Sequence, residues 1–416
     1  MDNPEARPIV QPMSDTSDIL IVGGGLNGPA LALALARAGF SVTVIDALAE
    51  ETRADAAFDG RAYALALTSQ RLLAAIGIWD AVADHAQPML EIRVSDGHAG
   101  LGPSPLVMMF DHGEIEEGPM GYMAEDRHLR RAFLEAMAAE PGVTTLSGLR
   151  VTAQQTGPDL ASVTLSDGSQ RHARLLVGCD GRASGTAERA GIRRTGHGYG
   201  QTALVCAIAH ELPHHGIAHQ FFMPPGPLAI LPLTGNRSSI VWSETTAHAA
   251  EIAAMDEESY LAVLRPRFGD FLGEISLAGQ RFSYPLGLTL AKSFIGPRLA
   301  LVGDAAHGLH PIAGQGLNAG LRDVAALVDV LSDARQRGED IGSTPVLTRY
   351  EQWRRFDTTT LAVATDTFNR LFSNDNPLLR ALRDVGMGLV NATPALRRGF
   401  IREAAGLTGD LPSLMR

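Results

Sequence analysis

The chain has little cysteine: Cys179 and Cys206 are the two in 416 residues. No disulfide framework is expected, a reducing cytoplasm is the natural setting, and both thiols read as small buried apolar groups. Positive charge is also short, with 35 Lys and Arg against 46 Asp and Glu and a formal net charge of −11. Gripping nucleic acid requires a basic face that displaces counterions condensed on the phosphates, so nucleic acid is excluded as a partner. No stretch reaches the roughly 18 uninterrupted apolar residues of a membrane-spanning helix, which leaves only a peripheral membrane role. Residues 1–18 lack the apolar run of a secretory signal, are too acidic for a transit peptide, and read as a frayed tail. Internal repeats and low-complexity linkers are missing too, as is a Ser-His-Asp order with a nucleophile elbow.

Glycine, by contrast, is abundant: the 44 glycines exceed the usual share of about 7% without a collagen-like period. DILIV (18–22) is a short apolar run ending at glycines, PALALALARAGF follows as a helix, and SVTVID supplies a second strand, which together make one βαβ unit. Helical patterns recur at SQRLLAAIGIWDAVADHA and DRHLRRAFLEAMAAEPG, and strands at VTTLSGLRVTAQQ, ASVTLSDG and RHARLLVGCDG. Between 200 and 285 strand-like runs dominate and predict a separate sheet. PRLALVGDAAHG then returns to the strand-to-loop style of the first unit, LNAGLRDVAALVDVLSDARQRG reads as an amphipathic helix, and the last seventy residues are helical in pattern.

The expected fold class is α/β: a Rossmann-like nucleotide-binding domain (16–85, 121–195 and 281–345) with an inserted, mostly antiparallel β substrate domain (86–120 and 196–280). A helical region closes the chain (346–416).

In VGGGLNG, Gly23, Gly25 and Gly28 fall on G-x-G-x-x-G spacing between strand and helix, and Asp46 ends the next strand. Gly23 permits the turn, Gly25 lets a pyrophosphate approach the backbone, Gly28 lets helix and strand pack, and Asp46 accepts from a ribose hydroxyl. A second glycine loop, LVGDAAHGLHPIAGQGLNAG (301–320), carries Gly303 and Asp304 at a strand end, then Gly314, Gln315, Gly316 and Asn318 at a helix start. Its N–H groups suit a phosphate or an electron-rich ring edge, and Asp304 suits a ribityl hydroxyl. Two such loops serve either two nucleotides or the two ends of one long cofactor.

With these stretches, LLVGCDGRAS (175–184) and YPLGLTLAKSFIGPRLALVGDAAHG, the chain resembles the flavoprotein aromatic hydroxylases with the para-hydroxybenzoate hydroxylase fold. FDGRAYALALTSQRLLAAIGIW, VSDGHAG, MGYMAEDRHLRRAF and GPLAILPL extend the likeness to their ubiquinone-biosynthesis branch, over nearly the whole chain. The resemblance implies one FAD held by both loops, in a domain of the GR2 type. It places Arg61 and Arg127 near the FAD, Asp180 near FAD and NAD(P)H, and the run Pro311 to Asn318 along the flavin ring, with His310 and Pro311 as the catalytic-side positions. No general base is assigned and no metal is expected. NAD(P)H is implied as a transient co-substrate without its own dinucleotide fold. Ala187 stands where many relatives carry arginine, so NADH and NADPH both stay open.

The implied reaction is hydroxylation of a polyprenylphenol with O2 through a flavin C4a-hydroperoxide. An oxidase or reductase of the same fold, or a non-catalytic flavin-binding subunit, are the alternatives. Two further stretches stand outside that pattern. HELPHHGIAH (210–219) reads as a solvated loop rather than a metal site. The stretch from Pro377 carries six arginines against three acidic residues. It has two readings, a peripheral contact with an anionic membrane or pathway partners, or a helix packed on its own core with a basic outer face.

Overall fold

A computed structural model describes residues 16–372 and 393–416, except 56, 58–59, 99–101 and 310–313. The apolar runs of the first βαβ unit form the centre of one sheet. Its parallel strands stand in the order Leu299–Leu301, Gln170–Gly178, Thr16–Val22, Val42–Asp46 and Val143–Ser147. Ile19, Leu20, Ile21, Leu175, Leu176 and Val177 are fully buried, as continuous apolar strands must be when helices cover a parallel sheet. The helix Asn27–Arg37 buries every residue from Gly28 to Leu35, and the helix Gln315–Gln336 packs on it.

Register decides where the loops emerge. Val22 lies beside both Gly178 and Ile45, and Gly178 lies beside Leu301. The carboxyl ends of these strands are therefore level, so the stretches beginning at Gly23, Cys179 and Val302 leave the sheet from one edge. That crevice is where open α/β sheets bind ligands.

A second sheet of nine strands runs from His307–Gly308 through Phe282–Ala291, Arg194–His210, Arg237–Thr245, Gly226–Leu233, Ile217–Met223 and Glu91–His98 to Gly102–Asp111, with Ile275–Leu277 beside Arg194–His210. Its pairs are antiparallel except Ile217–Met223 with Glu91–His98. Phe282–Ala291 pairs with Arg194–His210, so its hydrogen bonds join it to this sheet. A reading of 200–285 as strands overlooks the helices Thr246–Ala253 and Glu257–Phe268, which cover the face bearing Phe221, Leu228, Ile240 and Trp242. Thr245 and Asp256 cap them, accepting from the N–H groups of His248 and Ser259, and were the available signal. A third, three-stranded sheet joins Ala62–Ala66, Gly121–Glu125 and Ala86–Met89.

The solvated-loop reading of 210–219 is corrected at both ends. His210 closes a strand, is 6% exposed, and bonds Ser238 Oγ (3.1 Å) and the Leu212 carbonyl (2.8 Å). His219 lies inside Ile217–Met223. A histidine with both ring nitrogens satisfied is buried without penalty, which polarity along the chain does not reveal. Among the described residues no group of three His, Cys, Asp or Glu is placed to hold a metal.

Near the C-terminus, Thr344–Phe372 packs on Gln315–Gln336, and Pro394–Ala404 lies against Gly102–Asp111. Ile401 is buried, Arg397 pairs with Glu114 (2.6 Å) and Arg402 with Glu117 (2.5 Å), while Leu396 and Phe400 stay exposed. The part of the basic stretch at 377–392 lies outside the described residues. No described helix is long and apolar enough to cross a membrane.

Candidate active site

The first loop contains two kinds of glycine. At Gly23 (φ +112°) a Cβ would overlap the Cys179 carbonyl, and at Gly28 it would overlap the Gly23 carbonyl, so the chain's own packing requires glycine at both. At Gly25 a Cβ meets nothing within 4 Å, because the backbone there faces a cavity. Asp46 ties the loop down: one carboxylate oxygen accepts from Leu48 N–H at 2.6 Å and the other from Gly24 N–H.

Beside them stands Arg53, which no sequence motif marks. It is 4% exposed and donates from Nη2 to Ser147 Oγ at 2.6 Å, while its Nε and Nη1 are buried without a hydrogen-bond partner among the described residues. Nη1 lies against Gly24. Unpaired N–H groups of a buried guanidinium are costly, and an oxygen-rich ligand at this loop would satisfy them.

The late loop meets the first one directly. Asn27, which opens the first helix, lies where Cβ atoms on Gly303 and Gly320 would stand, and its Oδ1 is buried and unpartnered among the described residues. Gly314 (φ +64°) caps the helix Gln315–Gln336 in the left-handed conformation, and a Cβ on Gly316 would enter open space, as at Gly25. Asn318 is fully engaged by the protein. Its Oδ1 accepts from Ala66 N–H (2.9 Å) and Ser69 Oγ (2.7 Å), and its Nδ2 donates to the carbonyls of Ala64 (2.8 Å) and Gly314 (3.0 Å). It therefore fixes the helix start against the strand Ala62–Ala66. His310 and Pro311 lie outside the described residues.

In the middle motif, Arg182 donates from Nε to Asp304 Oδ2 (3.1 Å) and from Nη2 to the Leu309 carbonyl (3.2 Å), bridging two stretches far apart in sequence. Asp180 instead turns its carboxylate to the Gly185–Arg189 helix, accepting from the Thr186 N–H (2.9 Å) and Oγ1 (2.8 Å) and from Ser184 Oγ. Arg61 lines the cavity and pairs with Asp126 at 3.1 Å. Arg127 pairs with Glu125 at 2.8 Å, as does Arg237 at 2.6 Å, and it does not reach the cavity wall. Burial, followed by the charge of Asp126, pushes the Tyr63 phenol on that wall far above its ordinary range, so it stays protonated.

Gly25, Asn27, Arg61, Tyr63, Arg182 and Asp304 line one cavity of about 1440 Å³, larger than the roughly 300–1,000 Å³ of an ordinary small-molecule site. One side is formed by Gly25, Asn27, Asp304 and Gly314 to Asn318. The opposite side is the nine-stranded sheet, with Val94, Val205, Phe222, Ala229 and Val241, and Leu361, Phe400 and Ile401 close a further part. Gly25 and Gly316 thus face the same space, so both glycine loops open on one cavity.

This fold and this cavity define a dinucleotide-dependent oxidoreductase. Residues 16–360 match the family model described as FAD binding domain. The ubiquinone hydroxylase UbiL of Rhodospirillum rubrum is 46% identical over 419 residues, covering 100% of this chain and 96% of that protein. The 3-demethoxyubiquinol 3-hydroxylase of Escherichia coli is 36% identical, covering 94% of this chain and 99% of that one. Among solved structures, p-nitrophenol 4-monooxygenase PnpA from Pseudomonas putida superposes with a TM-score of 0.78 at 20% identity, over 95% of this chain and 99% of that one. The chain belongs to the FAD-dependent aromatic hydroxylases of the para-hydroxybenzoate hydroxylase fold, close to the ubiquinone-pathway hydroxylases. Its site fits FAD: the open backbones of Gly25 and Gly316, the orphaned Asn27 Oδ1 and the unpaired Arg53 nitrogens all adjoin the cofactor loops.

Proposed function

We propose that this FAD-dependent monooxygenase hydroxylates the ring of a polyprenylphenol in ubiquinone biosynthesis, taking electrons from NADH or NADPH and oxygen from O2. The observation that carries the reading is the apolar wall opposite the cofactor loops, which runs from the sheet to Leu361, Phe400 and Ile401. A polyprenyl tail is hydrocarbon, and its burial on such a wall contributes roughly 25 cal/mol per Å².

Bound FAD supplies the electron transfer and oxygen activation that side chains cannot. The protein binds, orients and excludes water. Gly25 admits the pyrophosphate at the helix start, Gly23 and Gly28 let the loop turn and the helix pack close beneath it, and Asp46 and Arg53 stand at the adenosine end. Asp304, positioned by Arg182, serves the ribityl chain, and Gly314 to Asn318 present backbone to the ring, with His310 and Pro311 assigned to the same side. Arg61 keeps its proposed place beside the cofactor, Asp180 and Gly303 act through the turns they shape, and Arg127, proposed from its motif position, acts at one remove through its pair with Glu125. The sheet wall keeps water from the reacting ring.

On this reading the enzyme works in the cytoplasm, peripheral to the inner face of the cytoplasmic membrane and beside other ubiquinone-pathway proteins. Leu396 and Phe400 are exposed next to Arg398, and Phe400 also lines the cavity, so a membrane-borne tail would pass from one to the other. The test is anaerobic reduction of the FAD-loaded protein by NADH and by NADPH, with and without a polyprenylphenol, followed by oxygen and mass analysis. A product heavier by one oxygen is expected. Reduction and reoxidation without oxygen insertion would overturn the reading in favour of an oxidase or reductase.

A further inference from the structure

The strand Ile217–Met223 alternates faces. Phe221 is buried with Leu228, Trp242 and Tyr260, and His219, in register with Ile230 of the same packed face and with its ring 4.4 Å from that of Phe271, shares that side of the strand although the residue also borders the cavity. Ala218, Gln220 and Phe222 therefore take the cavity side. Register then places Gln220 in a single row across the sheet. Met108 pairs with Val94, Val94 with Gln220, Gln220 with Ala229, Ala229 with Val241, and Val241 with Val205. The row is apolar except for this one carboxamide.

The Gln220 amide makes no hydrogen bond with any described residue. A half-buried amide on an apolar wall loses water and gains no protein partner, a cost that an apolar side chain of the same length avoids. Apolar ligand sites keep a few such groups to fix orientation. Arg93, the nearest cation on a neighbouring strand, pairs in register with His219 and belongs to the opposite face. The row therefore offers a neutral donor and acceptor and no charge.

We propose that the Gln220 carboxamide seats the substrate's aromatic ring by hydrogen-bonding a neutral ring oxygen, a phenolic hydroxyl or an alkoxy group. This deepens the hydroxylase reading and rests on it. Gln220 is a specificity group: an amide left unpaired by a ring without oxygen penalises that ring, while the tail binds either way.

The test compares 4-nonylphenol with nonylbenzene, which differ by one hydroxyl, titrated into FAD-loaded protein and followed by perturbation of the flavin absorption spectrum. Wild type is expected to bind the phenol about tenfold more tightly. Gln220→Met should bind both alike, with nonylbenzene affinity changed by no more than about twofold. Gln220→Asn, whose amide sits one methylene short, should lose the preference too, and FAD content measured on each variant checks that the site is intact. If both variants keep the full preference, the role of Gln220 is overturned and the hydroxylase reading stands. A wild type that binds the two ligands equally overturns the inference and removes support from the phenol reading as well.

Discussion

Asp323 Oδ2 stands 2.6 Å from His307 Nε2, and both side chains have zero exposure. The same oxygen accepts from Gly303 N–H at 3.0 Å, and Oδ1 accepts from Arg354 Nε at 2.8 Å. Burial alone would raise the Asp323 carboxyl, but His307 and Arg354 outweigh it and hold the group below its ordinary range. Arg354 shows the converse, with burial pulling down and Asp323 more than restoring it. A buried carboxylate thus fixes the turn from which Asp304 projects.

Asp323→Asn leaves Arg354 and His307 facing a neutral amide in the interior. Breaking a buried pair in this way costs about 3–5 kcal/mol, and the loosened Gly303 turn should also release FAD. Denaturant unfolding and the FAD-to-protein ratio after gel filtration check both, and an unchanged FAD ratio in a folded variant would separate this network from the cofactor loop.

Gly25→Ala and Gly28→Ala should behave differently although they are three residues apart. Gly28→Ala forces a methyl into the Gly23 carbonyl and is expected to abolish soluble expression. Gly25→Ala adds a methyl to open space, so the apo protein should keep its stability to within about 1 kcal/mol while FAD affinity falls at least about tenfold, because the methyl stands where the pyrophosphate approaches. Fluorescence titration with FAD and apo-protein melting make the comparison.

Stability should fall on acidification through His219. Burial, then the nearby Arg93, which is itself paired with Glu91, depresses its pKa from 6.5 to about 4. Below pH 6.5 the unfolded chain gains a proton that the folded ring refuses, so stability is full above that value, declines between pH 6.5 and 4, and levels off below. Allowing for partial exposure, the loss is on the order of 2 kcal/mol. Urea unfolding at pH 7.5 and pH 5 should show a larger drop for wild type than for His219→Gln, and equal drops would refute the assignment.

Phe400→Asp combined with Leu396→Asp should cut flotation with anionic liposomes by at least about fivefold, because both remove apolar area from the exposed face. Neutral liposomes should bind wild type more weakly, since Arg398 has no anionic headgroup to meet there. Arg397 and Arg402 are already paired with Glu114 and Glu117, so replacing either is expected to loosen the helix more than it weakens lipid binding.

The class of fold and the two cofactor loops were legible in the sequence because each rests on local pattern. A β-branched run, a glycine where φ is positive or a ligand must approach, and a helix start all lie within a few residues of one another, as at Gly23 to Gly28 and Gly303 to Gly316. Arg53, Arg182, Asp323 and Gln220 carry no such pattern. Their meaning comes from partners distant in sequence, and Arg127 and Asp180 show the reverse, since motif position alone did not reveal that Glu125 and the Gly185–Arg189 helix engage them.

What the chain by itself determined is therefore a nucleotide-binding α/β framework with two glycine loops, since turn geometry and strand burial are settled by neighbouring residues. Only the tertiary structure decided that those loops face one cavity, that Asn27 touches Gly303, and that a single carboxamide stands in an apolar wall. Those facts depend on the level at which parallel strands end and on the register between strands far apart in the chain, and both are set by packing of the whole molecule.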